Sequence, residues 1–287
     1  MRKYLLLTIA FFFSICASQS FAQAKRAGEN RYPFISFYWF SEKPTIELSY
    51  GISEINLGGI NTDFKKPGMI ELHLGYSNEF TSKYSKNVIR YDNDYLFLSN
   101  ATTDVSSQKN SAGINSSLWR FGFGNKDGTG LKFGSFTVMP YNANSFTWSR
   151  FSFDKSAALN PADYDKFDNF NEAFRFGTSA EAGINLQITK GFSLQPKYEV
   201  SDIFPRHLFG QQMVSSLIEL CGAEVLDEFT GRIMKNTPVA GTVVNFVLKS
   251  AYEFGIYQLR KEHMNWPFTN EAPLRYSTFK MGMTFTF

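Results

Sequence analysis

A closed antiparallel β-barrel that crosses a membrane with its strands is the fold class this sequence predicts. Three observations carry it. Apolar and polar side chains alternate strictly over long stretches, most cleanly in the final LRYSTFKMGMTFTF, residues 274–287. The chain is rich in aromatics, with 31 Phe and 14 Tyr, yet polar on average, at a mean hydropathy of −0.23. Beyond Ala17 there is no uninterrupted apolar run of the ~20 residues that a spanning helix needs. A backbone that must satisfy itself in lipid without helices does so as strands closed into a barrel. The rival class is a soluble exported β-protein that buries the same apolar faces against each other.

The chain opens with Arg2 and Lys3, an apolar run from Tyr4 to Ala17, and the small-x-small site Ser20-Phe21-Ala22. Those are the three parts of a secretory signal peptide. The expected division is a signal over 1–22, with cleavage after Ala24 as the alternative, and a single β-domain over 23–287. Cys16 reads as part of the signal. Its removal leaves Cys221 alone, so no internal disulfide holds the domain.

The strands follow in order. Ile46, Leu48, Tyr50 and Ile52 alternate with Glu47, Ser49, Gly51 and Ser53. Ile70, Leu72, Leu74 and Tyr76 alternate with Glu71, His73, Gly75 and Ser77. Residues 94–100 form a shorter candidate. Trp119, Phe121 and Phe123 begin another, which the reading ends at a hairpin turn over 125–130. Leu131 to Val138 returns, 139–144 turns again, and 145–153 is a further aromatic strand. The longest alternation starts at Phe174 and runs to Ile188, with Arg175, Glu181 and Gln187 on its polar side. After a turn at 189–191, Phe192, Leu194, Tyr198 and Val200 alternate with Ser193, Gln195, Lys197 and Glu199. This is the period of a strand with one greasy and one wet face. A short helix over 163–170 is expected in the loop before Phe174.

One region breaks the period. Val214, Ile218, Cys221, Val225, Phe229 and Ile233 recur at helical spacing, and after Pro238 a second, more apolar helix follows. The insert, about 206–250, is expected to pack outside the lumen, capping one mouth or lying at the membrane interface. Glu219 and Asp227 are expected to stay in water, away from the apolar stripe.

The signal, the amphipathic strands and the terminal strand ending in Phe287 resemble bacterial outer-membrane β-barrel proteins. The resemblance covers roughly 44–203 and 274–287. It implies a bacterial outer-membrane location and outer-membrane lipids as surroundings. It also implies that the barrel-assembly machinery recognises Phe279, Met281, Met283, Phe285 and Phe287. An even number of strands follows from both termini lying in the periplasm. Nine are legible, so the expectation is eight to ten, with ten preferred and part of 251–261 or 31–40 supplying the missing strand.

If the apolar parity meets lipid, the other parity lines the lumen. The lumen-facing charged candidates are Glu47, Glu71, His73, Arg120, Lys132, Arg175, Glu181, Lys197, Glu199 and Lys280. Their signs nearly balance, which points to lumen ion pairs more than to a selectivity ring of one sign. The function read from this is a structural, binding or small-solute role. The alternative is a lipid-modifying enzyme, since outer-membrane deacylases and phospholipases pair a Ser with a His. His73 and Ser77 share a face, but four residues of strand separate them by roughly 13 Å, against the ~3 Å of a nucleophile–base pair. No catalytic residue is assigned. No metal site is assigned either, because the three His are scattered and no metal-ligand spacing occurs. No cofactor is implied, and a formal charge of +3 suggests no nucleic-acid partner.

Overall fold

A computed structural model describes residues 43–58, 64–82, 85–106, 113–154 and 161–287. The signal-peptide expectation, together with any strand at 31–40, lies outside the described residues. Eight strands run in chain order: β1 (Lys43–Leu57), β2 (Gly68–Thr81), β3 (Val88–Thr102), β4 (Ser116–Phe133), β5 (Phe136–Phe153), β6 (Phe174–Thr189), β7 (Phe192–Ile203) and β8 (Leu274–Thr286). Three α-helices join them: α1 (Pro161–Asp168) before β6, then α2 (Phe209–Asn236) and α3 (Pro238–Arg260) before β8.

Each strand pairs antiparallel with its sequence neighbours, and β8 closes the barrel on β1. Following paired residues once around the wall, from Leu98 through Leu72, Leu48, Met283, Leu194, Leu186, Val138 and Leu131, returns to β3 at Val88. The return falls ten residues short of the start, from position 98 to 88. This slip is the shear that tilts the strands, and eight strands so tilted enclose an interior that side chains can fill.

The strand count is eight, against the ten preferred from sequence. The difference lies in β4 and β5, each 18 residues long. The stretches 125–130 and 139–144, read as turns, belong to these strands, and the hairpin turns instead at Gly134, whose φ of 64° suits glycine. Polar and glycine residues look like loop when both faces of a strand carry them. In 125–130 both do; in 139–144 the inner face is Met139, Tyr141 and Ala143, and Pro140, Asn142 and Asn144 of the outer face give the stretch its turn-like look.

The apolar parity points outward. Leu48, Leu74, Leu96, Trp119, Phe279 and Met283 are all exposed on the outside of the wall. Inside, the lumen has two layers. Toward the end bearing the long connections it is apolar: Met69, Leu118, Phe151, Leu274 and Tyr276 are buried beneath Phe167 of α1 and Phe170 just after it. Ring contacts of Phe64 and Phe153 with Phe167 hold this cover together, at centroid separations of 4.9 and 5.7 Å. Midway, the lumen is ionic.

The helical insert extends past 250 to Arg260, so 251–260 is helix and supplies no strand, and it leaves the lumen to the strands. Lys249, Ser250 and Glu253 of α3 lie against outward-facing residues of β4 and β5. Of the two carboxylates expected in water, Glu219 turns toward α3, and Asp227 keeps a half-exposed side chain beside it. Glu219 is paired with Arg260 at 2.9 Å and Asp227 with Lys249 at 2.9 Å, so both are tied to α3. Ile218, Val225 and Phe229 are exposed, while Val214, Cys221 and Ile233 are half-buried. No described helix is long and apolar enough to cross a membrane by itself.

Candidate functional site

The candidate site is the ionic layer of the lumen, built by the inward parity of β1, β2, β4, β6, β7 and β8. Alternation turns every second side chain inward, and barrel closure brings the charged ones of opposite strands together. Arg120 of β4 is 99% buried. Its guanidinium donates from Nη2 to Glu71 Oε2 at 2.8 Å, from Nη1 to Glu199 Oε1 at 2.7 Å, and from Nε to Ser99 Oγ at 3.0 Å. The planar fork can serve two carboxylates and a hydroxyl at once, which an ammonium could not do in that geometry.

Lys280 of β8 supplies the second cation. Its Nζ lies 2.6 Å from Glu71, 2.6 Å from Glu199 and 2.9 Å from Glu181. Those three carboxylates have oxygens within 4.8 Å of one another, a spacing that could hold a metal ion. The ammonium of Lys280 stands where such an ion would, and neutralises the same oxygens. Lys197 reaches Glu47 at 2.5 Å and Glu181 at 3.2 Å. Lys126 pairs with Glu47 and donates to Gln195 Oε1 at 3.2 Å.

Four carboxylates, Glu47, Glu71, Glu181 and Glu199, thus meet four fixed cations, Arg120, Lys126, Lys197 and Lys280. Buried charges are tolerated only when paired and hydrogen-bonded, and the network is neutral as a whole. Aromatic walls complete it. Lys126 lies 5.3 Å from the ring centres of both Tyr95 and Tyr141, and Tyr141 donates to Glu181 at 3.0 Å. His73 stacks on Tyr95 at 4.4 Å between centroids and joins Glu71 through Nε2 at 2.8 Å. The space left among Glu71, His73, Ser145, Ser179 and Lys280 is about 10 Å³. That holds one water at most.

Two candidates lie elsewhere. Lys132 has the inward parity but sits exposed at the rim beside the β4–β5 turn. Arg175 is at the opposite rim, donating to the Asn169 carbonyl at 2.5 Å. Inward parity implies burial only in the middle of a strand, and both residues are near strand ends. Sequence reading missed Lys126, because it fell within the stretch taken for a turn. Continuing the alternation from Arg120 through Gly122 and Gly124 would have found it. Gly122 is inward too, and a Cβ there would come within 2.8 Å of the Phe97 ring, so glycine makes room for it.

Eight antiparallel strands closed without an edge, apolar outside and charged inside, define a transmembrane β-barrel of the bacterial outer membrane. No family model matches the chain, and no curated protein matches it in sequence. Among solved structures it is similar to Neisserial surface protein A, at 9% identity and a TM-score of 0.39, over 85% of this chain and 97% of that one. It is similar to Ail, the attachment invasion locus protein of Yersinia pestis, at 9% identity and a TM-score of 0.34, over 86% and 99%. A third likeness is to the outer membrane protein AlkL in lipid bilayers, at 11% identity and a TM-score of 0.28, over 90% and 96%.

Proposed function

We propose that this protein is a non-conducting outer-membrane barrel, a scaffold that acts through its surface and not through its lumen. The observation that carries the reading is the sealed interior. A neutral cross-linked ionic layer fills the middle, and an apolar layer with α1 and Phe170 covers it toward one end. A solute would have to break several buried ion pairs to pass. Planar-bilayer recording on the refolded protein tests this: no steady conductance above the bare bilayer is expected, and stable single-channel steps would sink the reading.

The short connections, 82–87, 134–135 and 190–191, share one end of the barrel with residue 43 and the chain's C-terminus. Outer-membrane barrels keep short turns in the periplasm and long loops outside, so α1 and the root of the α2–α3 insert belong to the cell exterior. Export by the segment 1–22 and delivery by the assembly machinery fit the same scheme. Phe279, Met281, Met283 and Phe285 of β8, and Phe287 just beyond it, all lie exposed on the lipid side. Both edges of β8 are paired in the closed barrel, with β1 and with β7. The machinery would therefore engage this strand before closure, and Phe287→Ser should slow assembly in cells while leaving the stability of refolded barrel nearly unchanged. Equal assembly rates for the two chains would remove the terminal aromatic from that role.

A further inference from the structure

The outer wall of the barrel carries one interruption in its apolar belt. Outward-facing positions of β3, β4 and β5 near mid-strand hold Asp92, Asp94, Asn125, Asp127, Asn142 and Asn144. Along the same strands the outward positions toward the long-loop end are apolar, Phe121, Phe123, Phe146 and Trp148, and toward the turns the patch continues through Arg90 and Thr129 before Leu131, Phe133, Phe136 and Val138 close it. The island therefore lies within the height of the belt and not at a rim. Carboxylates and amides facing acyl chains at that depth are costly and need protein partners.

Within the wall Asn125 donates to Asp92 at 2.7 Å and to Asp94 at 2.8 Å, and for Asp127, Asn142 and Asn144 the chain supplies partners from α3. Lys249 Nζ lies 2.9 Å from Asp127 Oδ2. Glu253 accepts from Asn144 at 2.9 Å and from Asn142 at 3.2 Å, and Asn142 also donates to Ser250 Oγ at 3.0 Å. Nearer the long-loop end, Tyr257 donates to Thr178 at 3.2 Å and packs on Ala180 and Val200. These contacts follow α3 along the wall, from mid-strand toward the end where its chain returns to β8. A helix of 23 residues is about 35 Å long at 1.5 Å per residue, comparable to the ~30 Å hydrocarbon core.

The face of α3 turned away from the wall is apolar. Val239, Val243, Val247, Ala251 and Phe254 recur at three- and four-residue spacing, and all five are exposed. An exposed stripe of this kind in water would be an aggregation liability. Here it continues the lipid-facing belt of the strands, while Lys249, Ser250 and Glu253 of the same helix point to the island and Asn245, Tyr252 and Arg260 to α2. The helix repeats the barrel's own arrangement, polar inward and apolar outward.

We infer that α3 is an intramembrane cover: it lies along the outer wall within the bilayer, shields the part of the polar island it contacts, and offers its apolar stripe to lipid acyl chains, whereas α2, with Glu224, Glu228, Arg232 and Lys235 exposed, is no part of the lipid-facing surface. The occupant of that stripe is thus lipid, by continuity with the belt on both sides of the helix. This rests on the barrel's lying in a bilayer and is independent of whether the lumen conducts.

Site-directed spin labelling in proteoliposomes tests it, using the full chain with Cys16 and Cys221 replaced by Ser. Labels at Val243→Cys and Val247→Cys are compared with Leu72→Cys on the strand belt and Lys86→Cys in the exposed β2–β3 turn, collision rates being measured with oxygen and with a water-soluble nickel chelate. The expected result is an oxygen-to-nickel ratio at both α3 positions close to that at Leu72 and several-fold above that at Lys86. A ratio matching Lys86 would place the stripe in water and overturn the inference. Protection from both reagents with spin–spin broadening would show a second copy on the stripe, and would overturn it equally. The Leu72 label reports separately whether the barrel itself is embedded.

Discussion

Inside the barrel, Glu71 meets Arg120 and Lys280 across 49 and 209 residues of chain, yet all three belong to the wall itself. Outside, Asp127 meets Lys249 across 122 residues, and its partner comes from a helix that belongs to no strand. Both places hold carboxylates away from bulk water. In the lumen, the strands' own alternation delivers four cations for four carboxylates, because every inward position is already committed to the interior. On the outer wall alternation delivers lipid contacts, so polar residues there need a segment from elsewhere. The lumen network is thus intrinsic to the barrel, whereas the island takes partners from the insert.

The comparison predicts a ranked set of losses. Arg120→Met strips Glu71 and Glu199 of their guanidinium while keeping the volume, and should cost about 3–5 kcal/mol, the usual effect of leaving buried charge unpaired. Adding Glu199→Gln should return a good part of that loss. Urea unfolding followed by the gel shift between folded and heat-denatured barrel measures both, and a cost below about 1 kcal/mol for the single change would mean that water reaches the layer. Phe167→Ala, in the apolar cover, should lower stability by roughly 3 kcal/mol, the low end for a buried Phe, since α1 sits in a connection that can collapse. It should open no conductance, because the ionic layer beneath remains.

On the outer wall the effect should be smaller and local. Lys249→Met leaves Asp127 without its cation under α3, at a cost of about 1.5–3 kcal/mol, as for other hydrogen bonds to charged groups. Hydrogen exchange should quicken in α2 and α3 with the strands still protected. Faster exchange spread evenly over the strands would instead tie the insert into the barrel's global stability. Least of all, Arg206→Ala removes an ion pair with Glu271 whose side chains are 58% and 50% exposed, and should change stability by no more than about 1 kcal/mol. A larger loss would give the root of the insert a part in holding it to the wall.

Much of this architecture was legible in the residues. Ile46 to Ser53, Ile70 to Ser77 and the last strand show their facing directly, because one face is apolar throughout. The inward set Glu47, Glu71, His73, Arg120, Glu181, Lys197, Glu199 and Lys280 follows from parity alone. What escaped reading is where the code is broken. Residues 125–130 are polar or glycine on both faces, and 139–144 carry Pro140, Asn142 and Asn144 on the outer face, so both look like turns, which split two long strands and hid Lys126. Their polarity outside makes sense only once Lys249 and Glu253 are placed against it, and no local window contains both partners.

By itself, then, the sequence determined the period, the outward apolar belt and the near balance of lumen charge, since each is a property of side chains two residues apart on one strand. Tertiary structure decided the strand number, the pairing of each carboxylate with its cation, and the seat of the helical hairpin on the wall. Those depend on the ten-residue slip of the closed ladder, which brings residues far apart in the chain to the same height and the same side of the wall.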